Sequence, residues 1–213
     1  IVIGASMDNN IICVDEKEVF VVEHVADILI RKLQEHGAFL VPESWHKQLE
    51  DYIFAEQRGP RKPAVMNKDC IGKNATDILL KAGVTTNGKE PVLAFMVVDE
   101  DHPLVWSEQM MPILPLVRVK DADIAIRLAK EAEHGFGHSA IMHSRNIDNL
   151  SKMARVMNSS IFVKNGPAVA GLGYGGEGHC SFTIASPTGE GLTGPLSFSR
   201  ERRCVLVDHF RIV

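Results

Sequence analysis

Leu116-Val117-Arg118-Val119, the run Ala122 to Glu133, Ala140-Ile141-Met142-His143, the run Ile147 to Asn158, and Ser160-Ile161-Phe162-Val163 follow one another with short breaks between them. Short apolar runs of extended character alternate here with longer segments whose apolar residues recur at helical spacing. After Asn146, the residues Leu150, Met153, Ala154 and Met157 make one stripe, read as the core side of a helix rather than a methionine-lined ligand site. Strand and helix in turn is the pattern of a parallel sheet covered by helices, so the fold class expected is α/β.

The same rhythm extends toward the N-terminus. Val92 to Val98 reads as a strand, and Ala75 to Ala82 as a helix stopped by Gly83. A helical stretch begins near Pro42 and runs toward Phe54, where Arg58-Gly59-Pro60-Arg61-Lys62-Pro63 breaks it as a surface loop. Between His24 and His36, the residues Val25, Ile28, Leu29 and Leu33 predict an amphipathic helix, preceded by the strand-like run Val19-Phe20-Val21-Val22. After Val163 the texture changes: glycines cluster between Gly166 and Gly194, and no amphipathic helix is predicted. Arg203-Cys204-Val205-Leu206-Val207-Asp208 reads as one further strand, and no internal repeat or low-complexity tract is present.

A chain of 213 residues can bury a sizeable core. No apolar run approaches the ~18 residues of a membrane span, so no membrane role is expected. The formal charge is -4, and the densest basic group, Arg200, Arg202 and Arg203, is interrupted by Glu201, so no nucleic-acid partner is expected either. Cys13, Cys70, Cys180 and Cys204 lie far apart, without a CxxC pair or zinc-type His/Cys spacing. Free thiols in a reducing compartment and no metal site follow from that. The start, Ile1-Val2-Ile3-Gly4, has no basic region and no initiator Met, and is expected to be a cut through a longer chain rather than a signal peptide.

Cys13 has the setting that invites chemistry. It follows the polar turn Asp8-Asn9-Asn10 and precedes Val14-Asp15-Glu16-Lys17-Glu18 and an apolar strand, so it reads either as an exposed nucleophile or as a half-buried cysteine at a strand entrance. Cys204, inside an apolar run, is expected to be buried; Cys70 and Cys180 have no supporting pattern. His138, in Gly135-Phe136-Gly137-His138-Ser139, could act as an acid or base near neutral pH, or simply be hydrogen-bonded at a loop junction. Lys164 and Asn165 follow a strand end, where ligand loops gather in open α/β sheets, but sequence assigns neither a role. The run Gly171-Leu172-Gly173-Tyr174-Gly175-Gly176-Glu177-Gly178 is not a dinucleotide fingerprint, because Ser181-Phe182-Thr183-Ile184 beyond it is extended and not helical.

The segment from Asp8 to Glu18 resembles the cysteine motif of CoA-acylating aldehyde dehydrogenases, in particular the propionaldehyde and acetaldehyde dehydrogenases of bacterial microcompartments. Glu108-Gln109-Met110-Met111-Pro112, Gly135 to Ser139, His143-Ser144-Arg145-Asn146 and Ser160 to Pro167 are similar to further signatures of that family, so the resemblance covers nearly the whole chain. It implies Cys13 as nucleophile and His138 as a second catalytic candidate. Glu108 would bind the nicotinamide ribose hydroxyls, which a carboxylate accepts well, and Met110 would stand where an aromatic residue flanks the nicotinamide. NAD would be the cofactor, CoA the co-substrate and a short aldehyde the substrate.

The resemblance further implies a three-layer catalytic domain with a mainly parallel sheet over residues 1–195 and a C-terminal oligomerisation strand over 196–213. The N-terminal NAD-binding domain would be absent, the protein a homodimer or homotetramer, and its location cytoplasmic, with a microcompartment interior as one option. The region from Gly171 to Gly178, continued by Thr188-Gly189-Glu190-Gly191, would be a loop on the substrate side. Hydrolytic relatives usually carry a Gly-Gln pair shortly before the cysteine, whereas Asn10-Ile11-Ile12 stands here. Two alternatives stay open: a hydrolytic aldehyde dehydrogenase releasing free acid, and a non-catalytic assembly domain.

Overall fold

The computed structural model describes residues 1–185 and 191–207. A short helix α1 (Val2–Ser6) and a 3-10 turn (Met7–Asn10) lead through the Cys13 loop into β1 (Val19–Val22). Then come α2 (Glu23–Glu35), β2 (Ala38–Leu40), α3 (His46–Ile53), β3 (Phe54–Glu56), β4 (Val65–Met66) and α4 (Ala75–Lys81). The second half holds β5 (Leu93–Val98), β6 (Ile113–Val119), α5 (Ala122–Ala132), β7 (Ser139–Met142), α6 (Ile147–Met157) and β8 (Ile161–Lys164). The small β9 (Ile184–Ala185) and β10 (Gly191–Leu192) close the described part of the glycine-rich region.

The main sheet has the order β1-β6-β5-β2 and is parallel throughout, with Val21 opposite Arg118, Phe95 opposite Leu114 and Phe39 opposite Ala94. β7 and β8 form a second parallel pair, and among the described residues only the short pairs β3–β4 and β9–β10 are antiparallel. Alternation along β5 explains the layers. Leu93 and Phe95 pack with Val21, Leu114 and Leu116 beneath Ala26 and Leu33 of α2. Ala94 and Met96 turn the other way, into a cluster with Ile113 and with Leu49, Ile53, Ile78 and Leu79 of α3 and α4. A strand buried on both faces needs the continuous apolar run that β5 has, and each large side chain so buried contributes ~1.5–3 kcal/mol.

Helix α5 covers Val117 and Val119 of β6 through Leu128 and Ala132, and also meets Ala140 of β7 together with Met153 and Met157 of α6. Its start is fixed by Asp121, whose side chain accepts a hydrogen bond from the Ile124 N–H (2.9 Å). Asn146 caps α6 in the same way, accepting from Asp148 (2.9 Å) and Asn149 (3.0 Å). The stripe Leu150, Met153 and Met157 is buried, as a core face should be.

The sequence-based elements hold to within a few residues, but β2 has no counterpart among them, and three further differences stand out. Strand β6 starts at Ile113 rather than Leu116 and carries Pro115 in a central position; β1 pairs only from Leu116 onward, so Pro115 sits where β6 has one neighbour. The helix ending at Ile53 passes directly into the β3–β4 pair, which sequence did not signal. The strand expected from Arg203 to Asp208 is not formed over 203–207, and Asp208 lies outside the described residues. Among the described residues Val205, Leu206 and Val207 pair with no strand, and they stand exposed. Cys204 is exposed as well, because that apolar run never enters the core. Beyond the glycine cluster, 181–183 is without helix and leads into β9, while 188–190 lies outside the described residues.

Candidate active site

The Cys13 loop is built by three successive residues in left-handed backbone conformation, Asp8 (φ 45°), Asn9 (φ 55°) and Asn10 (φ 64°). Asx residues tolerate that region better than other side chains, which is why the turn is written Asp-Asn-Asn. Asn10 is buried, and its amide donates to the carbonyls of Ala5 (3.0 Å) and Glu16 (2.9 Å). The Lys17 ammonium folds back over the loop and donates to Asn10 O (2.7 Å), Asn10 Oδ1 (2.8 Å) and Ile12 O (3.5 Å). Asp15 accepts from the Ile12 N–H (3.1 Å), closing the turn that carries Cys13. Glu16 reaches across the chain to accept from the Ala168 N–H (3.2 Å).

Cys13 emerges from this clamp as a free, exposed thiol. Among the described residues its backbone N–H has no hydrogen-bond acceptor, which leaves it available to an oxyanion. Burial pushes the Asp15 carboxyl up to about 7, partly opposed by Lys17, and burial lifts Glu18 to about 7 as well, again against Lys17. Lys17 itself is lowered by burial, with Glu108, Asp15 and Cys13 acting against that shift. Asp15, Lys17 and Glu18 thus act on one another electrostatically beside the Cys13 loop.

Cys13, Glu108 and His138 line one cavity of about 1290 Å³, so three of the four residues singled out from sequence come together. Met110 does not line it: half-buried and left-handed (φ 52°), it accepts the Gly72 N–H on its carbonyl (2.9 Å). Glu108 is exposed, and among the described residues its carboxylate accepts no hydrogen bond, so it could take a pair of vicinal hydroxyls. His138 is held by its N–H, which donates to Glu133 Oε1 (3.0 Å), while Nδ1 lies 3.2 Å from Ser139 Oγ. Burial lowers its pKa, with Glu108 and Glu133 opposing, which favours the neutral imidazole, the form that can accept a proton.

Sequence missed two residues that hold these three in place. Gln109 is buried and donates from Nε2 to the carbonyls of Lys17 and Leu104, tying the Glu108 loop to the Cys13 loop. Glu133 fixes the approach to His138. Gln109 stood inside the quoted motif, but no local pattern marks Glu133, whose role exists only once α5 is folded. Lys164 has no role in the cavity, and Asn165 spends its side chain on the backbone of Ser144, accepting from its N–H (2.8 Å) and donating to its carbonyl (2.9 Å). Gly171 serves packing: a Cβ there would meet Ile161 Cγ2 at 2.2 Å. Cys70 is buried, and burial raises its pKa, so it is a poor nucleophile. No group of side chains suited to a metal ion occurs among the described residues.

With this geometry in hand, the chain can be set beside known proteins. No family profile matches it. It is 46% identical over 213 residues to the acetylating acetaldehyde dehydrogenase of Salmonella typhimurium, covering 100% of this chain and 45% of that enzyme. Among solved structures it superimposes on the propionaldehyde dehydrogenase of Rhodopseudomonas palustris, determined with bound CoA and an acylated cysteine. The TM-score is 0.87 at 46% identity, covering 96% of this chain and 45% of that one. The propionaldehyde dehydrogenase of the Clostridium phytofermentans fucose utilisation microcompartment gives a TM-score of 0.86 at 37% identity, with 98% and 46% covered. The fold is therefore that of the matched part of acylating aldehyde dehydrogenases. The chain spans under half the length of these relatives.

Proposed function

We propose that this chain is the thiol-bearing, C-terminal half of a CoA-acylating aldehyde dehydrogenase that converts a short aldehyde, CoA and NAD to acyl-CoA and NADH. The observation that carries the reading is the exposed Cys13 thiol in one cavity with Glu108 and His138. Cys13, as the thiolate, adds to the aldehyde carbonyl to give a thiohemiacetal oxyanion, which the Cys13 N–H helps to hold. Loss of hydride leaves an acyl thioester on Cys13; bound nicotinamide supplies the hydride acceptor. His138 takes the proton from the incoming thiol of CoA, which displaces Cys13 from the acyl group and regenerates the thiolate.

Glu108 would hold the ribose of the cofactor, and Met110 enters the reading through the family resemblance alone. Residues 1–195 would form the catalytic domain, and 196–213 the strand lent to a homodimer or homotetramer. The microcompartment origin of one relative supports an encapsulated location for the whole enzyme. The 213-residue chain by itself is expected to make no NADH, since it spans under half the length of the relatives it matches.

The test is a chimera in which this chain replaces the matched region of the Salmonella typhimurium acetaldehyde dehydrogenase, assayed for NADH from propionaldehyde. Strict dependence on CoA, with a loss of at least ~10³-fold in Cys13→Ser, is expected. Turnover without CoA would favour the hydrolytic alternative, and a chimera that folds but turns over nothing would leave only an assembly role.

A further inference from the structure

Arg61 does not line the cavity, yet its contacts run to both of the segments that bring Glu108 and His138 there. It sits in the loop between β3 and β4. Its guanidinium pairs with Glu100, with Asp101 and, at 3.2 Å, with Glu131, and its Cζ lies over the Trp106 ring, 5.3 Å from the centre. Glu100, Asp101 and Trp106 belong to the connection that runs from β5 to Glu108. Glu131 lies in the last turn of α5, two residues before the Glu133 that accepts the His138 N–H. One arginine can serve so many partners because its donors are held in a single plane whose face is free to stack.

The backbone is committed to the same contacts. Arg61 is left-handed (φ 53°), a conformation that costs an arginine free energy and persists only where its surroundings fix it. Its N–H donates to the Asp101 carbonyl (3.1 Å), and the Ala64 N–H donates to Ser107 Oγ (2.8 Å), beside Glu108. Trp106 carries the hold to the second segment. It is buried, its indole N–H donates to the Glu100 carbonyl (2.8 Å), and its own carbonyl lies 3.1 Å from His134 Nε2. A carbonyl can only accept, so His134 keeps its proton on Nε2. The His134 ring meets both Trp106 and Phe136 edge to face, with centroids 6.1 Å apart in each pair, and Phe136 is two residues from His138.

We infer that Arg61 is a positioning residue for the active site: from outside the cavity it ties the Glu108 segment to the end of α5, and so fixes Glu108 and His138 relative to each other. Exposed ion pairs add little stability singly, so the effect of the cluster is on register more than on folding. Glu131 is also paired with Arg127 on its own helix (2.8 Å), so loss of Arg61 cuts the tie and leaves α5 intact. Glu100, Asp101 and Glu131 would then face one another as like charges, which drives the two segments apart. The tie stands on its own geometry; only its consequence for turnover rests on the proposed function.

The experiment is hydrogen exchange followed by NMR on the 213-residue chain, comparing the parent with Arg61→Ala and Arg61→Lys. The Trp106 indole and the Ala64 amide report on the Glu108 segment, and the Phe136 and His138 amides on the other. In Arg61→Ala, exchange is expected at least ~5-fold faster at both pairs with β5 unchanged. Arg61→Lys, which keeps the charge and loses the planar fork, should fall between. If Arg61→Ala does not fold, Arg61→Gly takes its place, since glycine accepts the left-handed backbone. Faster exchange at one pair only, at neither, or equally throughout the chain overturns the inference. In the chimeric enzyme, well below its Tm, Arg61→Ala should raise the NAD KM at least ~3-fold while Cys13 is alkylated at the parent's rate. An unchanged KM overturns the inference as well. A parent chimera without turnover would refute the proposed function and leave the exchange result to decide this one.

Discussion

Asn10 shows how much of the site is decided one residue at a time. Its left-handed backbone, its buried amide and the Lys17 ammonium on its carbonyl oxygens make one unit, and Asn10→Ala would leave Lys17 and two carbonyls short of partners. A loss of ~2–3 kcal/mol in urea unfolding is expected, together with slower alkylation of Cys13. Asp15 gives a pH test. Its folded value of about 7 lies above the ordinary 3.8, so between these the folded chain holds a proton that the unfolded chain has released. The contribution of neutral Asp15 is complete at low pH and is lost as pH rises through about 7. Asp15→Asn should therefore gain stability relative to the parent as pH rises from about 4 to about 7, measured by denaturant midpoint; a constant offset would refute this. Cys13 and Glu108 can be singled out in sequence because each sits in a contiguous motif, and the fold brings both to one cavity. The roles of Gln109 and Glu133 cannot, since what they do depends on where the backbone folds them.

Among elements, the long helices and central strands were readable because period and length agree: α2, α5 and α6 each repeat an apolar stripe and end on recognisable caps or breaks. The pieces that escaped are short or against type. β2 has three residues, β3–β4 has no turn signature of its own, and Pro115 disguises the first half of β6. The apolar end at 203–207 misled in the opposite direction, since β-propensity makes a strand only where a partner edge exists. Packing of β8 gives the prediction at this scale. Gly171→Ala places a methyl 2.2 Å from Ile161 Cγ2, and the 3-10 turn at Ala168–Leu172 must move off the strand. A cost of ~1–3 kcal/mol is expected, seen as a lowered Tm without loss of helix signal.

For the molecule as a whole, the apolar tail is the surface that asks for company. Leu196 is 87% exposed, and Phe198, Val205 and Val207 are nearly as bare, more than a monomer usually leaves in one segment. Removal of residues 196–213 from the chimeric enzyme should reduce its sedimenting mass to that of a monomer while far-ultraviolet circular dichroism of the remainder is kept. An unchanged mass would place the subunit contact elsewhere. A different consequence follows from the clamp on Cys13. Gln109 binds the Lys17 carbonyl from 92 positions away, and Ala168 binds Glu16 from 152. Contacts that close such long stretches of chain are made late, because the chain must give up most of its freedom before they return anything. In a refolding time course the thiol should thus reach its native rate of alkylation after the central sheet has formed, making Cys13 a chemical clock for the last step of assembly.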